Sequence, residues 1–204
     1  MTPNPRNIVK QSPGERRVIY RDGNTADIVR VIMLADRDSG RFILEKGVAQ
    51  LRGANDRETL QNIYHFVKGK VSYKADRAGH EIVRSPAYLF ESAIGDCKSL
   101  SVAIGALCRA LGIKYRYRFI AQGGRRNLHH VYVVATTSEG KDVVLDAVHK
   151  QFNAEPAYSR RVDLRPGQRV PDGIRGGRND FWLDTLTLVG IVVVGGWILK
   201  KLGK

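Results

Sequence analysis

Three side chains in this sequence have the types and spacing needed for nucleophilic catalysis: Cys97, His130 and Asp146. Cys97 opens an apolar run that predicts a helix ending at Leu111, with Asp96 as its N-cap. The first turn of a helix has free N–H groups and the positive end of the dipole, which stabilise a thiolate. The backbone N–H of Cys97 is also a candidate oxyanion donor. A thiol at this position is suited to attack a carbonyl carbon.

A nucleophilic thiol needs a base, and the base needs an orienting carboxylate. His130 begins one predicted strand, Asp146 lies near the end of the next, and residues 138–141 read as the hairpin turn between them. Pairing of these strands would bring His130 and Asp146 side by side. His129 is an alternative base, because a shift of one residue turns the neighbouring side chain to that face. A lone cysteine at a helix start is more often a core residue, so the order of all three favours catalysis.

The second cysteine and the remaining histidines suggest no further site. Cys97 and Cys108 on one helix would be about 16 Å apart, too far for a disulfide. Cys108 is therefore predicted to be a core residue. His65, His80 and His149 have no metal-ligand spacing with the cysteines, and there is no glycine-rich phosphate loop. We expect neither a metal nor another cofactor.

These motifs resemble those of the transglutaminase-like superfamily. Its pattern is a G-D-C segment at the start of a buried helix, an H-V-x-V strand, and an aspartate ending the next strand. Here the matching residues are Gly95 to Cys97, His130 to Val133, and Leu145-Asp146. The resemblance covers about residues 56–156, and the variant with two leading helices looks like proteins of bacteriophages and bacteria. Ala147 follows the aspartate where the family often has proline.

The resemblance implies a papain-like α+β fold in which the nucleophile helix packs on an antiparallel sheet, preceded by N-terminal helices. It also implies acyl transfer, with Cys97 attacking an amide or peptide carbonyl, His130 moving the proton and Asp146 orienting the imidazole. Tyr73 is a candidate side-chain oxyanion donor, and a packed aromatic is the alternative for that residue.

Composition divides the chain into four parts. Residues 1–15 contain three prolines and predict a flexible arm, and residues 16–158 form the transglutaminase-like catalytic domain. The arginine-rich and glycine-rich residues 159–179 predict a basic linker. Residues 180–204 predict a transmembrane helix with a basic tail. Within the domain, helices are predicted from Thr25 to Leu34, over residues 41–51 and over residues 56–68.

The C-terminal segment has the length of a membrane span. Residues 181–199 are apolar except for Asp184 and the threonines, and would extend about 28 Å as a helix, close to the hydrocarbon thickness of about 30 Å. Trp182 and Trp197 lie near its two ends. We predict a single-pass C-terminal anchor that contacts lipid, in a virion membrane or a bacterial inner membrane. A buried C-terminal helix of the domain is the alternative. The N-terminus lacks the apolar core of a secretory signal, so the main domain is expected to start in the cytoplasm.

The formal net charge of +14 predicts attraction to polyanions. Lys114, Arg116 and Arg118 alternate along one predicted strand, either as a solvated face or as a basic rim that selects an acidic substrate. We predict a membrane-anchored thiol hydrolase acting on a peptide or protein, with peptidoglycan as one candidate, and a phage virion as one setting. The alternatives are an inactive structural membrane protein of a virion or envelope, and a cross-linking transglutaminase. A nucleic-acid-binding module rests on charge alone and is disfavoured.

Overall fold

The computed structural model describes residues 3–11, 16–21, 24–77, 80–125, 127–171, 174, 191–194 and 197–200. Within these residues the chain is a mixed α+β fold whose main sheet has the strand order β7-β6-β5-β8, all antiparallel. Its strands are β5 (Lys114–Ala121), β6 (His130–Thr136), β7 (Asp142–Leu145) and β8 (Arg160–Leu164). The antiparallel sheet agrees with the predicted α+β fold class.

The described helices begin at residues that cap them. In chain order they are α1 (Pro5–Ile8), α2 (Thr25–Ser39), α3 (Glu45–Val48), α4 (Asp56–Lys70), α5 (Pro86–Ser92) and α6 (Cys97–Ala110). The side chains of Asn24, Asn55, Ser85 and Asp96 accept hydrogen bonds from backbone N–H groups of the first turns that follow them. These caps satisfy donors that have no partner within the helix, and so they set where each helix starts.

Smaller strand pairs lie beside the main sheet. Strand β1 (Arg16–Arg21) pairs antiparallel with β3 (His80–Arg84), and β2 (Ser72–Tyr73) pairs parallel with β4 (Ile94–Gly95). The second pair places the segment carrying Tyr73 directly beside the start of α6. It therefore belongs to the surroundings of Cys97.

Helix α6 is the centre of the core. Nearly all of its residues are buried, and it packs on β5 and β6 with α2, α4 and α5 around it. Gly105 allows the close approach of the sheet, because a Cβ there would lie 2.4 Å from the Tyr117 hydroxyl oxygen. At the far end of α6, the buried Asp36 of α2 accepts hydrogen bonds from the Tyr115 and Tyr117 hydroxyls, at 2.5 and 2.7 Å, and pairs with Arg109. This cluster joins α2, α6 and β5.

Residues 41–51, predicted as one helix, form shorter pieces. A 3₁₀ turn at Gly40–Phe42 is followed by α3 and by a second 3₁₀ turn at Ala49–Leu51. Gly47 within α3 explains part of this difference, because the N-terminal segment crosses it closely and a Cβ there would lie 1.6 Å from the Asn7 carbonyl oxygen. Tertiary packing therefore overrides the helical spacing of the apolar residues.

The predicted flexible arm is packed where the structure describes it. Residues 3–11 include α1, whose Ile8 is fully buried, and Val9 forms a bridge with Ile43. The backbone N–H of Lys10 donates to Phe42 at 2.8 Å. Ile8 and Val9 hold this segment against the core. The proline content had suggested an irregular arm and drew attention away from these two apolar residues. Residues 12–15 lie outside the described residues.

The predicted basic linker contributes a strand to the main sheet. Residues 160–164 form β8, which pairs with β5 from Tyr117 opposite Leu164 to Ala121 opposite Arg160. Leu164 is fully buried and Ile174 is 3% exposed. The arginine content suggested a linker, but the alternation of Val162 and Leu164 with polar residues fits a strand. The folded region thus extends beyond residue 158.

The predicted transmembrane helix over residues 181–199 lies mostly outside the described residues. Its described pieces are two antiparallel strands, β9 (Ile191–Val194) and β10 (Trp197–Lys200), rather than helical turns. The β-branched run in β9 favours an extended conformation. Among the residues that the structure describes, no helix is both long enough and apolar enough to span a bilayer.

Candidate active site

Cys97 is the first residue of α6 and is partly buried. Asp96 precedes it as the N-cap, and its carboxylate accepts a hydrogen bond from the Ser99 N–H at 3.1 Å. The N–H groups of the first turn and the helix dipole are therefore directed towards the thiol region. Cys108 is fully buried, and burial raises the pKa of its thiol to about 12. Only Cys97, of the two cysteines, is placed for nucleophilic chemistry.

His130 and Asp146 meet at the edge where β6 begins and β7 ends. The His130 Nε2 lies 2.6 Å from the Asp146 Oδ2, and Asp146 is 3% exposed. The other ring nitrogen, Nδ1, is not used by Asp146, and Cys97 lies close enough to raise the pKa of His130. Asp146 directly follows β7, one residue beyond the strand end rather than within it. The structure thus pairs His130 with Asp146, and Cys97 affects the charge of the same imidazole.

The protonation of His130 follows from its two neighbours. Burial opposes the charged imidazolium, but the hydrogen bond to Asp146 and the contact with Cys97 outweigh it and raise the pKa of His130 to about 10. His130 is therefore charged near neutral pH. The charged imidazole then favours a thiolate beside it.

Helix α4 holds the loop that carries Asp146. The Tyr64 hydroxyl donates to the His149 carbonyl at 2.7 Å, and the Lys68 ammonium donates to the Ala147 carbonyl at 2.9 Å. The Val148 N–H donates to the second oxygen of Asp146 at 3.0 Å. Sequence reasoning missed Tyr64 and Lys68 as supports. Their i, i+4 spacing places both on one face of α4, but nothing local identifies the loop that they contact.

The alternative base and the candidate oxyanion donor take different positions. His129 is exposed, and its Nδ1 lies 3.2 Å from the Asn127 carbonyl, on the opposite side of the strand from the His130 ring. Tyr73 lies on β2 beside Gly95 and is 52% exposed. Partial burial, followed by the charges of Cys97 and Asp96, raises the pKa of Tyr73. Its hydroxyl is therefore protonated near neutral pH, as an oxyanion donor must be.

The alternating basic residues of β5 form ion pairs instead of an open rim. The Arg116 and Arg118 guanidinium groups donate to Asp163 at 2.9 and 2.7 Å, and to Asp142 and Glu155, respectively. Arg118 is 5% exposed. Neither the predicted solvated face nor the predicted basic rim describes these two side chains. Arg126 lies outside the described residues.

Comparison with known proteins identifies the family to which this chain belongs. The model of a family described as the transglutaminase-like superfamily matches residues 47–148, half of the chain. The chain belongs to the transglutaminase-like superfamily. The matched residues of this transglutaminase-like domain include α4, Cys97, His130 and Asp146, whereas α2 and β8 lie outside them. No curated protein matches the chain.

Solved structures resemble this transglutaminase-like chain at low identity. A proposed protease from Parabacteroides distasonis has 14% identity and a TM-score of 0.45, over 59% of this chain and 26% of that one. A proposed cysteine protease from Cytophaga hutchinsonii has 17% identity and a TM-score of 0.33, over 72% and 48% of the two chains. Menin, solved to reveal its binding site for the Mixed Lineage Leukemia protein, has 16% identity and a TM-score of 0.36, over 68% and 34%. The transglutaminase-like chain thus spans between about a quarter and a half of these proteins.

Proposed function

We propose that this transglutaminase-like chain is a thiol hydrolase that cleaves amide or peptide bonds by acyl transfer through Cys97, His130 and Asp146. One observation carries the proposal. The Nε2 of His130 lies 2.6 Å from the buried Asp146 carboxylate, and the Cys97 thiol at the start of α6 is close enough to raise the pKa of the same imidazole. This is the relation among nucleophile, base and orienting group that covalent catalysis requires.

The first half of the reaction transfers the acyl group to sulfur. The Cys97 thiolate attacks the carbonyl carbon, a C–S bond forms, and the carbonyl oxygen takes up negative charge. We assign the stabilisation of that oxyanion to the backbone N–H of Cys97 and to the Tyr73 hydroxyl. The His130 imidazolium gives its proton to the amide nitrogen. The C–N bond then breaks, and the amine leaves.

The second half of the reaction returns the enzyme to its starting state. Neutral His130 takes a proton from water, the resulting hydroxide attacks the thioester carbonyl, and the C–S bond breaks to release the acid. Cys97 leaves as the thiolate beside the imidazolium. Asp146 stays ionised throughout and keeps the imidazole oriented. A lysine amine in place of water would produce cross-linking.

A labelling experiment tests the nucleophile. Native protein treated with iodoacetamide is expected to be alkylated at Cys97 alone, because Cys108 is fully buried and its thiol pKa is raised to about 12. Cys97→Ala should remove labelling and amide cleavage, whereas Cys108→Ala should retain both. Peptide mass spectrometry locates the label. Amide cleavage that persists in folded Cys97→Ala would overturn the proposal.

Product analysis identifies the substrate and the acceptor. Peptidoglycan stem peptides and an unfolded protein serve as amide substrates, with and without a primary amine. We expect free acid and a preference for one substrate class, and we propose cell-wall peptide as that class, in the setting of a phage virion. Amine-coupled product would make the chain a cross-linking enzyme. No turnover, together with no labelling of Cys97, would favour a structural role.

We further propose that residues 181–199 anchor the chain in a membrane as a single helical span, which requires Ile191–Val194 and Trp197–Lys200 to exchange their strand pairing for helix in the bilayer. Their apolar length and flanking tryptophans support this location. The full chain is expected to float with phospholipid vesicles and to resist alkaline extraction. Leu188→Arg should reduce flotation, because a charge near the middle of a span costs roughly 3 kcal/mol. Leu202→Arg, outside the span, is the matched control. A wild-type chain that stays in the supernatant would overturn the anchor.

A further inference from the structure

A buried lysine directly follows the candidate nucleophile. Lys98 is 8% exposed, and its ammonium contacts the carboxylates of Asp96, of Glu81 at 2.6 Å and of Asp76 at 3.3 Å. Removing an ammonium from water is costly unless charged partners and hydrogen bonds replace the lost hydration. Because this cation is buried, solubility does not explain it, and its position next to Cys97 indicates a role at the site.

The carboxylates that hold Lys98 come from three separate segments. Asp76 lies in the loop after β2, Glu81 lies on β3, and Asp96 caps α6. Asp76 also accepts hydrogen bonds from the Ile82 N–H at 2.7 Å and from the Arg84 side chain at 3.4 Å. Lys98 therefore joins the first turn of α6 to the segment that follows Tyr73 and to β3.

The charge balance around the thiol depends on this lysine. Burial opposes the ammonium of Lys98, but Asp96, Glu81 and Cys97 together raise its pKa above the ordinary range. Burial raises the pKa of Asp96, and Lys98 opposes that rise. Lys98 thus stays charged at every pH at which the protein would act. Without it, Asp76, Glu81 and Asp96 would lose the ammonium that all three contact.

Other titratable groups near Cys97 come from different elements. His130 approaches from β6, and Tyr73 from β2. The pKa of Tyr73 is raised by burial and by Cys97 and Asp96, and Lys98 counters that rise. Lys98 and the His130 imidazolium therefore both interact with Cys97.

We propose that Lys98 is a positioning residue for Cys97. Its ammonium fixes the first turn of α6 against β3 and the loop after β2, and supplies a positive charge that favours the thiolate of the neighbouring Cys97. The inference rests on the proposed function, because it assumes that Cys97 acts as a nucleophile. It assigns a role in thiol reactivity to a side chain that does not touch the reacting carbonyl.

The rate of Cys97 alkylation by iodoacetamide, measured against pH, tests this role without a substrate. Lys98→Met should move the midpoint of the rate profile upwards by about one pH unit, so that alkylation below the midpoint slows roughly tenfold. Lys98→Arg keeps the charge and should restore most of the rate. Lys114→Met is the matched control, because Lys114 is exposed at the other end of the β5–β6 pair from His130.

A second variant predicts a shift of opposite sign. Glu81→Gln removes one of the negative charges that face the ammonium and should move the midpoint downwards, because the thiolate then faces less repulsion. It also keeps the inference testable if Lys98→Met fails to fold, which circular dichroism and thermal unfolding would reveal. A purely structural Lys98 would not give opposite shifts in the two variants.

Unchanged midpoints in folded Lys98→Met and Glu81→Gln would overturn the inference, even if both variants melted at lower temperature. This result differs from failure of the proposed function. Rapid wild-type alkylation with no cleavage of any amide would remove the hydrolase proposal and leave the role of Lys98 in thiol reactivity intact.

Discussion

At the scale of single residues, the contact between His130 and Asp146 decides the charge of the site. Two effects compete at the ring, since burial favours neutral imidazole and the carboxylate favours imidazolium. The carboxylate wins because it is itself buried and held by the Val148 N–H, so little solvent screens the pair. Substituting Asp146 should reverse the outcome.

Asp146→Asn is expected to lower the pKa of His130 well below about 10, because Cys97 alone then remains to oppose the effect of burial. NMR titration of the ring protons measures this shift. Asp142→Asn, at the other end of β7 where the carboxylate pairs with Arg116, should leave the titration unchanged. A His130 pKa that stayed near 10 in Asp146→Asn would show that another group holds the proton.

The same raised pKa makes stability depend on pH. A raised pKa in the folded state means that the pair contributes fully below pH 6.5 and loses its contribution as pH rises through about 10. The free energy of unfolding should therefore fall between these values by on the order of 5 kcal/mol. Urea denaturation at a series of pH values measures the fall. In Asp146→Asn the slope should largely disappear; an equal slope in both proteins would assign it to other groups.

At the scale of elements, α4 connects the helical part of the fold to the site loop. Tyr64 and Lys68 donate to carbonyls of residues 147–149, and their placement holds Asp146 at the ring. A short loop with two such anchors can keep a carboxylate within hydrogen-bond range without a proline after it. This arrangement explains how Ala147 is accommodated.

Tyr64→Phe removes one of these anchors. It should cost about 1 kcal/mol of stability and lower kcat/KM or the Cys97 alkylation rate roughly tenfold, because Asp146 loses its fixed position. Thr137→Val loses the hydrogen bond from the Lys141 N–H in the turn between β6 and β7, at the other end of these strands from His130, so it should lower stability without changing reactivity. Chemical denaturation and the two rate assays separate these effects. Equal rate losses in both variants would contradict a specific role for α4.

At the scale of the whole molecule, both ends of the described domain fold back onto it. The segment before β1 packs across α3, and β8 completes the main sheet through ion pairs between Asp163 and the arginines of β5. Both segments read as irregular in the sequence, because their prolines and arginines conceal the few apolar residues that are buried. Their removal from the domain should therefore be destabilising.

Gly47→Ala tests the packing of the N-terminal segment. An added methyl group would lie 1.6 Å from the Asn7 carbonyl oxygen, so α1 must move away, at an expected cost of about 2 kcal/mol. Gly69→Ala is the matched control, because no atom lies within 4 Å of the added Cβ and alanine favours a helix. Thermal unfolding and hydrogen exchange at residues 3–11 report the difference. Unchanged exchange in Gly47→Ala would mean that this crossing is not tight.

Short sequence patterns predicted those parts of the site whose residues lie close together in the chain. The N-cap Asp96, the thiol after it and the hairpin at residues 138–141 each lie within a few residues of the feature they specify. Tyr64 and His149 are 85 residues apart, and only the fold brings them together. Lys98 was missed for a related reason, since its burial depends on acidic groups of two other segments. The prediction of a linker was wrong because β8 forms by pairing with β5, which lies about 40 residues earlier in the chain and is not visible in the local sequence.

The polar cluster of Asp36, Arg109, Tyr115 and Tyr117 has a mechanical consequence for Cys97. Many side chains of α6 are small, so their packing alone would oppose a shift of the helix along its axis only weakly. A slip by a single residue would displace the thiol by about 1.5 Å, enough to separate it from the imidazole. Contacts of Asp36 hold the C-terminal end of α6, and contacts of Lys98 hold its N-terminal end. Together they keep the helix in one position along its axis. The position of the Cys97 thiol relative to the imidazole thus depends partly on contacts at the C-terminal end of α6.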